Sequence, residues 1–285
     1  MWEMLWDILV DAVLDGLKML PFLFAAYLLI EYIEHKASDK LTNALRHSGK
    51  LGVPGGALLG AVPQCGFSVA AANFFAGRII TPGTLIAVFV ATSDEAIPML
   101  LANAGDGMTV LKLIAIKTVI AVITGYLVDF ILHRNKDTGF EKEELSHELC
   151  KDCGCEHGIM RSALRHTVNI FIFVLLVTFL LNLAIEWIGE DMLGQFMLTD
   201  SVFQPFLSAL VGFIPNCASS VVLTQLMMSG SISFGSAVAG LCTGAGIGLA
   251  VLFRVNKNLK ENLTIMGILY VVGVVSGVIL QQLKI

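Results

Sequence analysis

Charge is scarce in this chain: Asp, Glu, Lys and Arg make up only 14% of its 285 residues. The net charge of −5 is small and spread over polar connections, and no basic patch marks a nucleic-acid binder, so DNA and RNA are excluded as partners. A Gly-rich phosphate loop ending in Lys-Ser or Lys-Thr is missing, which leaves ATP use without support, and no HExxH spacing occurs. Basic residues are also missing from Met1 to Asp15, which lacks the charged start and small-residue exit of a cleaved signal peptide. The first helix is therefore expected to stay in the mature protein. What the chain has instead is apolar sequence: 56% hydrophobic residues with 27 Gly and 11 Met, and a mean hydropathy of +0.79. That composition describes a polytopic, all-α integral membrane protein surrounded by lipid.

One segment occurs twice. Gly60-Ala61-Val62-Pro63-Gln64-Cys65-Gly66-Phe67-Ser68 returns as Gly212-Phe213-Ile214-Pro215-Asn216-Cys217-Ala218-Ser219-Ser220, and the same offset of 152 residues (63 to 215) runs without a gap to Gly83 and Gly235. Repeats with Pro- or Gly-interrupted apolar helices at matching positions are the sequence marker of a midplane binding site in a secondary carrier. Apolar stretches of spanning length fall near 12–33, 51–76, 80–104 and 110–132, then near 166–188, 202–228, 232–253 and 262–283. The expected organisation is a first membrane repeat over 1–133, a polar linker over 134–165 and a second membrane repeat over 166–285, with about 8–10 helical segments in all.

Basic residues set the orientation. Lys36, Lys40, Arg46 and Lys50, then Arg134, Lys136, Lys142, Lys151, Arg161 and Arg165 in the linker, then Arg254, Lys257 and Lys260, mark three cytoplasmic connections. The stretch 189–201 holds Glu190, Asp191 and Asp200 without a basic residue and reads as external, as does the N-terminus. Helix 12–33 then runs inward and its counterpart 166–188 outward, so the two repeats are inverted. Parity requires 51–104 to cross an odd number of times. Making 51–76 a re-entrant hairpin bent at Pro63-Gln64-Cys65 solves this, because each arm of about 12 residues spans roughly 18 Å, too short for about 30 Å of hydrocarbon. Arg78 is then cytoplasmic. The stretch 202–228 becomes a hairpin bent at Pro215-Asn216-Cys217 that enters from the opposite face.

Exposed main chain at that depth survives only where protein or a water-filled cavity covers it. The tips offer Pro63, Gln64, Cys65 and Ser68 in one half and Pro215, Asn216, Cys217, Ser219 and Ser220 in the other, with Asn73 and Gln225 at matching positions further along. These are the candidate substrate ligands; the alternative is that the polar side chains satisfy one another as interhelical glue. The stretch 80–104 is interrupted by Thr92-Ser93-Asp94-Glu95, whose counterpart reads Gly244-Ala245-Gly246-Ile247. Adjacent acids in an apolar run suit a proton or cation coupling site, against the plainer reading of a helix end near the surface. Glu3, Asp7, Asp11 and Asp15 opposite Trp2, Trp6, Leu9 and Val13 fit an interfacial amphipathic helix.

Cysteine is used by position. Cys65 and Cys217 sit at the tips and Cys242 in the second broken helix, while the linker carries Cys150, Cys153 and Cys155 with His147 and His157. Closely spaced Cys and His favour soft or borderline metals such as Zn²⁺, Cu⁺ or trivalent arsenic, and a cytoplasmic loop is not expected to form disulfides. A metal-sensing or metal-delivering loop is the reading preferred here over unbound thiols on a charged segment. No cofactor is required.

The runs Ala61-Val62-Pro63-Gln64-Cys65-Gly66-Phe67-Ser68, Ala91-Thr92-Ser93-Asp94-Glu95-Ala96-Ile97-Pro98 and Phe213-Ile214-Pro215-Asn216-Cys217-Ala218, with the Cys/His linker, resemble the ten-helix heavy-metal exporters, also catalogued as arsenic efflux proteins or manganese transporters. The resemblance covers nearly the whole chain and implies a bacterial inner-membrane permease with a metal or metalloid substrate. More distantly it is similar to the permeases of methylated arsenicals, a likeness that implies thiol ligation by Cys65 and Cys217. The resulting expectation is a secondary exporter: a soft cation or trivalent arsenical exchanges onto Cys65 and Cys217, Gln64 and Asn216 complete its shell, and Asp94 or Glu95 takes a proton. The rival is a carrier of a small organic anion held by Ser68, Ser220, Asn216 and helix ends. An intramembrane enzyme is the weakest alternative, and a homodimer is compatible with the sequence.

Overall fold

The computed structural model describes residues 49–63, 65–93, 96–102, 107–134, 159–188 and 203–283, with single positions between Trp6 and Leu28, and every regular element among these residues is an α-helix. In chain order these are α1 (Gly49–Gly60), α2 (Cys65–Ala76), α3 (Pro82–Ala91), α4 (Ala96–Ala102), α5 (Gly107–Arg134) and α6 (Ile159–Ile188). They continue with α7 (Gln204–Gly212), α8 (Cys217–Met228), α9 (Phe234–Thr243), α10 (Ile247–Val255) and α11 (Leu259–Gln282). The apolar stretch at 51–76 is thus two helices of 12 residues each, and 202–228 and both Ser/Gly-interrupted stretches are likewise divided. Helix α6 starts at Ile159, inside the stretch expected to be linker, and its first two turns carry Arg161 and Arg165 beside the apolar Ile159, Met160, Ala163 and Leu164.

The starts of α3 and α9 are built alike. Thr81 caps α3, its hydroxyl accepting from the Thr84 amide at 3.1 Å, and Pro82 occupies the first turn, where its missing N–H costs nothing. Ser233 does the same for α9 through the Ser236 amide at 3.1 Å. A side chain from another helix reinforces each cap. Asp129 of α5 accepts from the Thr81 hydroxyl at 2.7 Å and the Gly83 amide at 2.8 Å; Gln204 of α7 accepts from the Ser233 amide at 3.0 Å and the Ser236 hydroxyl at 2.8 Å.

Packing follows the duplication. In the first half α3 lies between α1 and α5; in the second α9 lies between α7 and α11. The second arms cross over: α2 packs on α10, and α8 on α4. Glycines set the close approaches, since a Cβ at Gly83 would strike the Gly125 carbonyl and one at Gly235 the Gly277 carbonyl, matching contacts at the repeat offset. Small residues that let main chains touch are how helices associate without a hydrophobic driving force.

The ends of these helices are located by side-chain contacts. Arg78, just before α3, donates to Glu261 at the start of α11 at 2.8 Å, and Arg254 lies 4.4 Å over the Phe173 ring. Gly235, at the start of α9, lies instead against Gly277 and Gln281 at the far end of α11. Helix α1 runs alongside α3 in the same direction, Gly52 by Thr84 and Gly60 by Val88. The chain then returns through α2 to Arg78.

Among the described residues, four runs are long and apolar enough to cross a membrane: Pro82–Leu101, Gly107–Ile131, Phe234–Val255 and Leu259–Gln282. The two broken runs are 81% and 83% buried and the two unbroken ones 28% and 33%, so the interrupted helices form the centre and the continuous ones the sheath. On α6, Leu164, Val168, Ile172, Leu176 and Leu180 are exposed at four-residue spacing, an apolar stripe turned outward as lipid contact demands. Trp6 is exposed too, whereas Glu3, Asp7, Asp11 and Asp15 lie outside the described residues.

Candidate functional site

The interruptions converge. Helix α3 ends at Thr92, whose hydroxyl turns back to the Val88 carbonyl at 2.8 Å. Helix α9 ends at Gly244, and the chain turns through Gly246 at φ +53°, a conformation open to glycine, before α10 begins. Helix α8 starts after Asn216, whose extended main chain (φ −146°, ψ 151°) caps it, while the Ser219 hydroxyl donates to the Asn216 carbonyl at 2.8 Å. These three points close around one cavity of about 10 Å³, lined by Thr92, Ser93, Asn216, Ser219, Ser220, Leu223, Gly240, Leu241, Gly244 and Gly246. That is room for about one water-sized particle. Its lining combines hydroxyls, an amide residue and the positive start of α8 with the carbonyl-rich ends of α3 and α9.

Five sequence-predicted positions therefore share this cavity wall: Thr92, Ser93, Asn216, Ser219 and Ser220. Others are elsewhere. Ser68 is buried against Gly248, where an added Cβ would lie 2.7 Å from its own Cβ. Asn73 is buried and occupied, its carbonyl oxygen accepting from the Tyr27 hydroxyl at 2.5 Å and its amide donating to the Val69 carbonyl at 2.8 Å. Its counterpart Gln225 is exposed, as is Pro63, and Pro215 is half-buried. Gln64, Asp94, Glu95, Cys150, Cys153, Cys155, His147 and His157 lie outside the described residues, as do the side chains of Cys65 and Cys217. Among the described residues no group of three or more His, Cys, Asp or Glu is placed to hold a metal ion.

Sequence reasoning missed Lys117. It sits mid-way along α5, 1% exposed, and its Nζ donates to the Leu241 carbonyl at 2.7 Å and to the Thr92 carbonyl. The signal was available: a lysine inside an apolar spanning run is a functional candidate by default.

The sequence profile of a family described as "Putative, 10TM heavy-metal exporter" matches residues 4–192 and 166–284. The chain belongs to that family. No curated protein and no solved structure matches it. In this exporter a second, wider cavity of about 320 Å³ is lined by Leu100, Thr109, Lys112, Met227, Met228, Ile232 and Phe234. It lies at the end of the molecule where α5 begins, and α4 and α8, in contact with each other, lead from it toward Ser93 and Ser219. Its methionines add thioether surface, which soft metals tolerate as a weak ligand.

Proposed function

We propose that this chain is a secondary-active exporter of a soft metal ion or trivalent arsenical, driven by a proton or other ion gradient across a bacterial inner membrane. The observation that carries the reading is the meeting of both broken helices and the start of α8 at a single cavity of about 10 Å³. Hydroxyls, an amide residue and helix ends converging on one point suit an ion or small metalloid stripped of its water, and the family description favours a metal over the organic-anion alternative.

Inverted repeats are the second part of the proposal. Arg78 before α3 contacts Glu261 at the start of α11, whereas the start of α9 contacts Gly277 and Gln281 toward its end, about 24–30 Å further along the helix. Opposed starts for matching helices support inversion, and the return of each second arm toward the end where its first arm began supports re-entrant hairpins. The pairing of Arg78 with Glu261 agrees with a shared cytoplasmic side for Arg78 and 254–260. In this reading Cys65 and Cys217 supply thiolate ligands, Gln64 and Asn216 complete the shell, and Asp94 or Glu95 carries the coupling proton. The linker thiols Cys150, Cys153 and Cys155, with His147 and His157, collect metal from the cytoplasm. Thiolate ligation makes binding pH-dependent because the ion displaces protons from sulfur.

The test is flux in vesicles with arsenite, methylarsenite, Zn²⁺, Cu⁺, Mn²⁺ and carboxylates, with and without Cys65→Ser combined with Cys217→Ser. Gradient-driven movement of a thiophilic ion that the double variant abolishes is expected; undiminished transport by the variant would transfer the argument to the organic anion.

A further inference from the structure

Lys117 has no task in the mechanism just described, yet it joins the two halves at their centre. Its two acceptors, the main-chain carbonyls of Thr92 and Leu241, belong to the last turns of α3 and α9, where carbonyls lack partners within the helix and carry the negative end of the dipole. Both residues also line the small cavity. Two converging carbonyls at helix C-terminal ends are the groups with which interrupted-helix carriers hold a monovalent cation.

We propose that these carbonyls form a monovalent-cation site and that Lys117 fills it with its own ammonium, a tethered ion that replaces a free one. The duplication supplies an internal control. At the repeat offset Lys117 corresponds to Leu269 of α11, which is also fully buried, so the packing position itself is satisfied by an aliphatic side chain. The amine therefore adds something packing does not need. Around it, α3 and α4 bring no titratable side chain within their described residues, α1 carries Lys50 at its second position, α9 brings the buried Cys242, and α5 itself carries Lys112 before it and Tyr126, Asp129, His133 and Arg134 after it. Asp94 and Glu95 follow Ser93 outside the described residues. Holding both helix ends with one cation ties the broken helices together without dependence on external Na⁺ or K⁺.

The site is tested on the full-length protein in detergent, without knowledge of the substrate. Lys117→Ala removes the ammonium and leaves its carbonyls and the channel of its stem. Ethylammonium chloride is expected to raise the Tm of Lys117→Ala by about 2 °C or more above equal tetramethylammonium chloride, which has no N–H to donate, while wild type responds equally to both salts. Equal responses of the variant to the two salts would overturn the site. Should Lys117→Ala fail to fold, Lys117→Gly combined with ethylammonium during purification, and flux by wild type, replace it. Although the flux arm rests on the export reading, it separates the two: with an imposed proton gradient as the only driving force, efflux by wild type that is unchanged when N-methylglucamine replaces Na⁺ and K⁺ on both sides supports the tethered ion, and efflux that still requires Na⁺ or K⁺ rejects it. A complete lack of metal flux counts against export alone, and recovery of folded variant with ethylammonium then decides the cation site.

Discussion

Alanine at Gly235 places a methyl carbon 2.5 Å from the Gly277 carbonyl oxygen and 2.6 Å from the Gln281 amide nitrogen. Both are main-chain atoms of α11 and cannot rotate aside, so α9 and α11 must part by about an ångström to restore ordinary contact. Overpacking of this kind costs about 1–3 kcal/mol, from which the gain of replacing a helical glycine, about 1 kcal/mol, is subtracted. Gly267 on the same α11 is the control, because an added Cβ there meets nothing within 4 Å. Gly267→Ala should therefore be neutral to stabilising by up to about 1 kcal/mol. Thermal unfolding of the two variants beside wild type in detergent, with about 2–4 °C per kcal/mol, should rank Gly267→Ala at or above wild type and Gly235→Ala below it. Gly83→Ala, its counterpart against Gly125 and Asp129, should fall with Gly235→Ala. Equal stability of Gly235→Ala and Gly267→Ala would refute the close approach of α9 and α11.

Arg78 has φ +56°, a left-handed conformation that costs a non-glycine residue about 1–2 kcal/mol, while its ion pair with Glu261 is partly exposed and worth about 1 kcal/mol at most. Arg78→Gly should thus be no less stable than wild type by more than about 1 kcal/mol, and more stable than Arg78→Ala, as denaturant or thermal unfolding will show. Asn73→Ala leaves the buried Tyr27 hydroxyl without its acceptor and should cost about 1–3 kcal/mol with little effect on the apparent affinity for substrate, measured by flux against concentration. Ser220→Phe fills the cavity wall beside Asn216 and Ser219 and should abolish flux while leaving the folded yield, judged by size-exclusion chromatography, intact.

How far the sequence carried is best seen residue by residue. The breaks after Gly60 and Gly212 were legible because proline and the repeat marked them twice, and the break after Thr92 because polar residues interrupt an apolar run. The grouping of Thr92 and Ser93 with Asn216, Ser219 and Ser220 was not, since it depends on α8 crossing to α4 in the other half, and no periodicity encodes which helix receives a crossing arm. Asn73 shares its offset with Gln225, which makes it a candidate substrate ligand in the sequence; its partner Tyr27 is 46 residues away, a pairing that only tertiary structure supplies. Lys117 was visible as a lone charge, but its acceptors are main-chain carbonyls, which leave no mark in a sequence.

The central claim is that one thiophilic ion is held where the two halves meet. X-ray absorption at the arsenic edge tests it most directly, using protein loaded with methylarsenite after the linker thiols are removed by Cys150→Ser, Cys153→Ser and Cys155→Ser. Two sulfur neighbours on arsenic, lost on adding Cys65→Ser and Cys217→Ser, are the predicted result. Arsenic without sulfur neighbours in the linker variant, or sulfur neighbours indifferent to Cys65 and Cys217, would contradict it.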